Sequence, residues 1–543
     1  MTETSLTTKE ASEIARRRTF AIISHPDAGK TTLTEKLLLY GGALQLAGSV
    51  TARKNQRSTA SDWMEMEKKR GISVSSTVLQ FEYGGYCVNL LDTPGHKDFS
   101  EDTYRVLTAV DSAVIVLDAA KGIESQTLKL FEVCRKRGVP IFAFINKLDR
   151  PSRPPLELLD ELERVLGLQP VPLTWPLGDG PRFRGVYDRE KKEVCLFERT
   201  PHGSFRAPMQ VRGIDDESLQ GLMDEELLAT TTQEIELLDS VTPALDVEQV
   251  HQELQMPVFF GSAMNNFGVQ HMLERFLKLA PEPAPRRSGD IEILPADNDF
   301  SGFVFKIQAN MNPKHRDRAA FVRIVSGVFK RDMNVMNART KERMRLGNSQ
   351  RLFGQDRETV DEAYAGDVVA LVGNYDFLVG DTITTDAKVN FDEMPRFPPE
   401  CFAFVVNEDA STYKRFREGL DQLLKEGVAQ PFHLYGSHHR VPLLGAVGPL
   451  QFEVLKSRLE SEYNAPCRIE SASWSLVRWL REKEPARGTS AHDRPAVKLP
   501  SDGTLAQDVL GLWVLLLPSD TLLRLFEERN PGFEVLPNPY RPS

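Results

Sequence analysis

The chain lacks the features that would tie it to a membrane, an oxidising compartment or nucleic acid as a whole. Its 543 residues include five cysteines (Cys87, Cys134, Cys195, Cys401 and Cys467) and no C-x-x-C pair. That speaks against a disulfide scaffold and predicts buried thiols in a reducing cytosol. The longest apolar candidate, Val509 to Pro518, is too short to span a bilayer, so no membrane partner is expected. Residues 1–18 carry no apolar core of the kind a secretory signal needs; within them Ala11 to Arg18 reads as a short helix whose closing Arg16-Arg17-Arg18 suit a helix C-terminus. Positive charge is not in excess: 67 Lys and Arg stand against 77 Asp and Glu, a net charge of −10. This excludes whole-surface nucleic-acid binding and makes DNA an unexpected partner; a nucleic acid would have to meet local basic patches.

What the chain does have is an ordered set of loops after apolar runs. Phe20-Ala21-Ile22-Ile23 leads into Ser24-His25-Pro26-Asp27-Ala28-Gly29-Lys30-Thr31-Thr32. A helical pattern follows, with Leu33, Leu37 and Leu38 on one face and Gly41-Gly42 at its end. Strand, loop, helix is the context of a phosphate-binding loop. Its backbone N–H groups and the helix N-terminus wrap an anion. Lys30 would reach the β- and γ-phosphates, and the Thr31 hydroxyl would sit on Mg²⁺. Ser24 stands at the first glycine of G-x-x-x-x-G-K-[ST], so the chain must turn there in an ordinary L-residue conformation. The remaining G-K-[ST] is expected about 0.3 times by chance in a chain this long. A helix start capped by Asp27 would read the same.

Three later loops sharpen the reading. Tyr86 to Leu91 reads as a strand returning from a hairpin turn at Gly84-Gly85, and it enters Asp92-Thr93-Pro94-Gly95-His96. There Asp92 offers a carboxylate to Mg²⁺, as a Walker-B Asp does, and the Gly95 N–H can approach a γ-phosphate. Ala113 to Asp118 and Pro140 to Ile145 read as buried parallel strands, the second ending in Asn146-Lys147-Leu148-Asp149. Ligands of open α/β sheets bind at the carboxyl ends of strands. A carboxylate at Asp149 matches the N1–H and N2–H₂ donors of guanine, whereas adenine would leave it buried and unpaired. Last, Met256 to Phe260 ends at Gly261-Ser262-Ala263, where the Ser262 and Ala263 N–H groups would meet a purine O6. N-K-x-D and D-x-x-G-H are expected by chance about 0.07 and about 0.04 times, so the joint expectation is on the order of one in a thousand. Together the loops predict a guanine-nucleotide-binding α/β domain.

Punctuation divides the rest. Residues 151–256 exceed a minimal nucleotide domain and read as an insertion, with an amphipathic helix over Leu156–Leu166, a hairpin around Asp188 to Lys192, and an acidic helical stretch from Asp215 to Leu238. Val269 to Leu279 reads as a helix, and Pro281 to Asp290 is a Pro-rich linker. From Phe300 the pattern alternates with period two between turns, which predicts a β-barrel. Pro395, Pro398 and Pro399 mark the next boundary, beyond which strand and helix patterns mix. The expected fold class is α/β: a P-loop GTPase domain with a mostly parallel sheet at 1–285, a β-barrel domain at 291–394, and an α+β sandwich domain at 395–543. Basic stretches at 313–318 and 339–345 read as solvated loops or as contacts to a phosphate backbone. His438-His439 have no ligand partner at metal spacing and read as loop histidines.

Ser24 to Thr32, Arg70-Gly71-Ile72-Ser73, Asp92 to His96, Asn146 to Asp149 and Gly261 to Ala263 resemble the five G motifs of the translational GTPases. More closely, Ser61 to Glu67, Gly302 to Met311, Pro313 to Arg318, and Gly445 to Gly448 followed by Leu450-Gln451-Phe452 resemble the bacterial peptide chain release factor 3 family. The resemblance covers roughly residues 14–480 and is poor from about 481. A small non-glycine residue at Ser24 is common in these loops. Ser73 stands where Thr is more often found and keeps the hydroxyl for Mg²⁺.

The resemblance implies GTP and GDP as ligands and Mg²⁺ held by Thr31, Ser73 and Asp92. It implies His96 as the catalytic residue that orients the attacking water. Switches at roughly 45–75 and 92–103 would order around the γ-phosphate. Hydrolysis would be slow until the ribosome, through its rRNA and ribosomal proteins, stimulates it. The motion would then drive a class 1 release factor off after peptide release, in the cytoplasm and with the protein as a monomer. Two alternatives stay open. An elongation factor G-like translocase needs two more domains beyond the α+β one, and roughly 60 residues follow Leu480. A GTP-gated ribosome-binding module with little hydrolysis would favour an apolar residue at His96.

Overall fold

The computed structural model describes residues 7–42, 76–94, 100–198, 209–214, 216, 219, 224–309, 318–353, 356–373, 375–391, 394, 397–436, 442–484, 490 and 492–540. Ser73 with the first expected switch, Gly95 and His96, residues 313–317 and His438-His439 lie outside the described residues.

Helix α1 (Thr8–Ala15) starts at a capping box in which Thr7 and Glu10 bond reciprocally. A helix over 11–18 was expected, but Arg17 and Arg18 belong to strand β1 (Arg17–Ser24), where they pair with Cys87 and Val88. Next come α2 (Lys30–Tyr40), β2 (Thr77–Tyr83), β3 (Tyr86–Asp92), α3 (Ser100–Thr108), β4 (Ser112–Asp118), α4 (Ser125–Lys136), β5 (Ile141–Asn146), α5 (Pro155–Leu166) and β6 (Gln169–Pro172). Later, β11 (Gln255–Phe260) returns to the same sheet, whose order is β2-β3-β1-β4-β5-β11-β6. All neighbours are parallel except β2 on β3, joined through the left-handed Gly84 and Gly85. Every parallel strand therefore delivers its carboxyl end to one edge, the edge at which ligands bind.

Burial on both faces accounts for the unbroken apolar runs. Phe20 and Ile22 pack with Leu33, Leu37 and Phe276 on one side, and Ala21 and Ile23 with Val106, Leu130 and Phe131 on the other. The rings of Phe20 and Phe276 meet edge-on at 4.5 Å. Each such side chain contributes about 1.5–3 kcal/mol by leaving water, and Phe20→Ala should cost about 3–5 kcal/mol.

The stretch read as one insertion at 151–256 divides. Helix α5 and β6 belong to the main sheet, with β6 pairing parallel to β11 at its edge. Pro170 and Pro172 hid this strand; an edge position tolerates the missing N–H groups. What stands apart is an antiparallel sheet of β7 (Thr174–Leu177), β8 (Gly185–Asp188), β9 (Glu193–Phe197) and β10 (Met209–Gly213), with helix α6 (Glu225–Val241). Helix α6 starts ten residues later than the acidic stretch read from Asp215. Helices α7 (Val247–His251) and α8 (Val269–Leu279) flank β11.

The Pro-rich stretch contains a short strand pair, β12 (Arg286–Ser288) with β13 (Ile291–Ile293). Beyond it, β14 (Ser301–Ala309) and β15 (Arg318–Ser326) form the centre of an antiparallel eight-stranded sheet. Both strands are buried along their whole length. Val304, Val322 and Ile324 fill the interior of this β-rich part, while Phe303, Phe305 and Phe321 join the cluster of Val106 and Leu130 in the nucleotide-type part. A second eight-stranded antiparallel sheet runs from Cys401 to Leu536. Residues 504–507, 513–517 and 533–536, in the stretch where the resemblance had faded, are strands of that sheet. All five cysteines are free, and four are buried; burial pushes the Cys134 and Cys195 thiols up to about 12, as inert packing groups.

Candidate functional site

The loop after β1 turns in two left-handed steps, at Asp27 (φ 65) and Gly29 (φ 98). Ser24 is not among the left-handed residues, so it keeps the ordinary conformation expected of it. Asp is among the few side chains that accept such a φ. At Gly29 the backbone also passes so close to Asn146 that a Cβ would overlap its side-chain amide. Pro26 and Asp27 are exposed, His25, Ala28 and Lys30 are buried, and Thr31 and Thr32 at the start of α2 are half-buried.

Two polar centres form at the carboxyl edge. At the first, Lys30 Nζ donates to Asp92 Oδ1 at 2.6 Å, and Thr34 Oγ1 lies 3.4 Å from the same oxygen. Thr93 Oγ1 donates to Ile22 O at 2.7 Å, tying the loop after β3 to β1. Thr103 Oγ1 of α3 reaches Pro94 O at 3.2 Å. At the second, Asn146 Nδ2 donates to Ala28 O at 2.8 Å while its Oδ1 accepts from Ala263 N at 2.9 Å. Asp149 Oδ1 accepts from Ser262 Oγ at 2.6 Å, and the buried Leu148 N donates to Gly261 O at 3.3 Å. Phosphate-loop, N-K-x-D and G-S-A residues thus converge.

Both amides expected at a purine O6 are engaged within the protein. The Ser262 N–H donates to Phe267 O at 3.0 Å within a tight turn, so Ser262 works through its hydroxyl on Asp149. The Ala263 N–H in turn donates to Asn146 Oδ1 at 2.9 Å.

Two residues outside the motifs complete the frame. Lys147 takes a left-handed φ of 71 and donates from Nζ to Asp118 Oδ2 at 2.8 Å. Burial raises the Asp118 carboxyl, but the bonds from Lys147 and the Ala120 N–H outweigh it and hold the group below its usual range. Glu124 Oε2 lies 3.3 Å from His25 Nε2, yet neither ring nitrogen reaches hydrogen-bond geometry with a described residue. Burial pushes the His25 pKa down, with Glu124 opposing, so the ring is neutral at pH 7. An acidic residue at the end of a buried strand was the signal that could have found Asp118.

The residues expected at the phosphates and those expected at the base therefore meet at one edge of the sheet. Residues 15–282 match the family model described as elongation factor Tu GTP binding domain. Residues 299–386 match elongation factor G domain 2, and 391–527 match class II release factor RF3, C-terminal domain. The peptide chain release factor 3 of Gloeobacter violaceus is 53% identical over 524 residues, 96% of this chain and 98% of that one. That of Symbiobacterium thermophilum is 51% identical over 96% of this chain and 97% of its own. The chain belongs to the peptide chain release factor 3 family. Its role is that of a translation-termination GTPase, and its nucleotide is a guanine nucleotide. The family match runs to residue 527, so the resemblance does not end near 480. A crystal structure of a Thermus thermophilus protein superposes with a TM-score of 0.66 at 22% identity, covering 92% of this chain and 72% of that one, and shows the shared fold.

Proposed function

We propose that this family member is a Mg²⁺-dependent GTP hydrolase, activated by the ribosome, that drives class 1 release factors off the ribosome after peptide release. The supporting observation is the Asn146 bridge, which joins the phosphate loop at Ala28 to the base-reading loop at Ala263. One side chain thereby fixes the distance between the two ends of a nucleotide. In this reading the chain works as a GTP-binding domain at 1–285, a β-barrel domain at 291–394 and a C-terminal domain at 395–543, acting as a cytoplasmic monomer.

The residues divide the task. Backbone N–H groups from His25 to Thr32 and the Lys30 ammonium hold the phosphates. Asn146 and Asp149 read guanine, with Ser262 aiming the Asp149 carboxylate and Lys147 lining the base. The buried Asp92 carboxylate and the Thr31 hydroxyl, with Ser73, are the hard oxygen donors Mg²⁺ takes. When bound, the ion neutralises charge that develops on the phosphates. His96 orients the attacking water. Positioning and charge stabilisation supply most of the rate in phosphoryl transfer, so the ribosome's part is to complete the position of the switch residues.

The test is GTP turnover by the full chain with and without ribosomes, with departure of a labelled class 1 release factor followed in parallel. Slow turnover that ribosomes accelerate, with factor departure, is expected. Full-rate hydrolysis without ribosomes overturns the reading, and tRNA–mRNA movement in place of factor departure supports a translocase.

A further inference from the structure

A buried lysine from the β-rich part grips the point where the two expected switches meet. Ser76 follows the stretch 43–75 and directly precedes β2, whose first residue, Thr77, pairs with Asp92 at the end of β3. Ser76 is only 2% exposed. Its N–H donates to Asp102 Oδ2 at 2.7 Å, and Asp102 lies in the first turn of α3, inside the second expected switch. Its carbonyl oxygen and its hydroxyl both accept from Lys306 Nζ, the hydroxyl at 3.0 Å. Lys306 comes from β14, is itself buried, and its ammonium stands 5.7 Å from the centre of the Phe321 ring. Further along β2, Gln80 Nε2 donates to Val368 O at 2.9 Å, a second tie to the β-rich part.

A buried ammonium is tolerated only while its donors are used. A shift of Ser76 strips two hydrogen bonds from Lys306, and a shift of α3 strips one from Ser76. We propose that Lys306 is a positioning residue of the GTPase reaction: it seats Ser76, and through Ser76 the Asp102 end of α3, as the γ-phosphate-bound state requires. The orientation of the β-rich part and the nucleotide state are then coupled in both directions, as any two sites that bias one element must be. The proposal rests on reading the β1, β3 and β5 edge as a GTPase centre.

Lys306→Met keeps the apolar stem and removes the ammonium, while Ser76→Ala removes one of its two acceptors. In the full chain the readouts are affinity for GDP, affinity for a non-hydrolysable GTP analogue, and ribosome-stimulated hydrolysis. Lys306→Met is expected to weaken the analogue about tenfold relative to GDP, within the usual range of coupling. It is also expected to lower kcat on ribosomes with the KM for GTP little changed, and Ser76→Ala should move both readouts the same way by less. A folded Lys306→Met protein that shifts both nucleotides equally, or neither, makes the contact mere interface packing and overturns the proposal. If Lys306→Met does not fold, Ser76→Ala at the wild-type ratio overturns it. A wild-type chain that binds no guanine nucleotide overturns the reading of the site instead.

Discussion

Lys30 Nζ and Asp92 Oδ1 lie 2.6 Å apart, and both side chains are buried. The cation expected on the phosphates therefore rests on the carboxylate expected on Mg²⁺. Each charge satisfies the other where neither could stay buried alone. On the proposed assignment a phosphate oxygen takes the place of Asp92 at Lys30 and the metal that of Lys30 at Asp92, so nucleotide and Mg²⁺ should bind as one event. Lys30→Met takes the cation away from the buried Asp92 carboxylate. Without nucleotide it should lose about 3–5 kcal/mol in urea unfolding, and added Mg²⁺ and GDP should no longer raise its melting temperature. Wild-type stability in that variant would mean the pair does not form.

Asn146 and Asp149 belong to one motif but should fail differently. Asn146 bonds to two buried backbone groups, Ala28 O and the Ala263 N–H. Asn146→Ala leaves both unpaired, at about 1–3 kcal/mol each, so it should destabilise the empty protein as well as weaken GDP. Asp149 is half-buried and held by Ser262. Asp149→Asn should leave thermal unfolding within about 0.5 kcal/mol while moving base preference from guanine to xanthine. Competition between GDP and xanthosine diphosphate reads this directly, and an unchanged preference would remove Asp149 from the base site.

These two residues also show how far the sequence could be read. Asn146 and Asp149 could be singled out, and their meeting with the 261–263 loop anticipated, because strand, motif and order along the chain are local signals, and local signals survive in one dimension. The same holds for α8, whose bounds match the helical period from Val269 to Leu279, and for the Gly84-Gly85 hairpin. The bridge from Asn146 to Ala28 spans 118 residues, and nothing near either end announces it. Strand β6 was missed because its two prolines argue against a strand unless its edge position is known. The strands after 504 were harder to place: 504–507 pair locally with 513–517, but what joins that hairpin and 533–536 to the sheet is pairing with the distant 433–434 and 476–482. Arg17 read as a helix-terminal cation because, of its two carboxylate partners, only Glu13 is near in sequence, whereas the buried Asp367 is 350 positions away.

Acid should weaken the fold through histidines that burial keeps neutral. His271 is held below its usual value of 6.5 by burial; Asp188 and Glu274 pull it back up, and Lys191 and Arg275 push it further down. The unfolded chain takes up this proton near 6.5 and the folded one does not. Stability is therefore lost as pH falls from 6.5 toward the lowered value, by about 1.4 kcal/mol per unit of separation. His25 acts with the same sign. Glu253, which burial pushes up to about 7, and the raised Glu101 and Glu426 act with the opposite sign, adding stability as pH falls. The slope of the whole protein mixes both, so a difference is the clean measurement. His271→Phe, packed against Phe197 as His271 is, should be more stable relative to wild type at about pH 5.5 than at about pH 7.5 in urea unfolding. An equal difference at both values would show that His271 does not titrate in this way.

The contact between the nucleotide-binding part and the β-rich part carries buried ion pairs beside its shared apolar cluster and should break as a unit. Arg17 Nε donates to Asp367 Oδ2 at 2.6 Å, and the Arg17 guanidinium lies 4.5 Å over the Tyr364 ring. Asp367 also takes a bond from the Tyr364 N–H at 3.0 Å and one from Asn89 Nδ2 at 3.3 Å. Beside it, Arg323 Nη2 donates to Asp111 Oδ2 at 2.6 Å. Removing one partner of a buried pair leaves an uncompensated charge and costs about 3–5 kcal/mol, far above the worth of an exposed pair. Asp367→Ala should therefore separate thermal unfolding into two transitions and open residues 281–290 to protease, because Pro283 is packed on Gly366 in the intact contact. Asp111→Ala should do the same from the other side. Since both pairs hold one surface, the double variant should lose less than the sum of the two. Full additivity would mean that the two pairs stabilise separate units, and that the β-rich part is free to move about each of them independently.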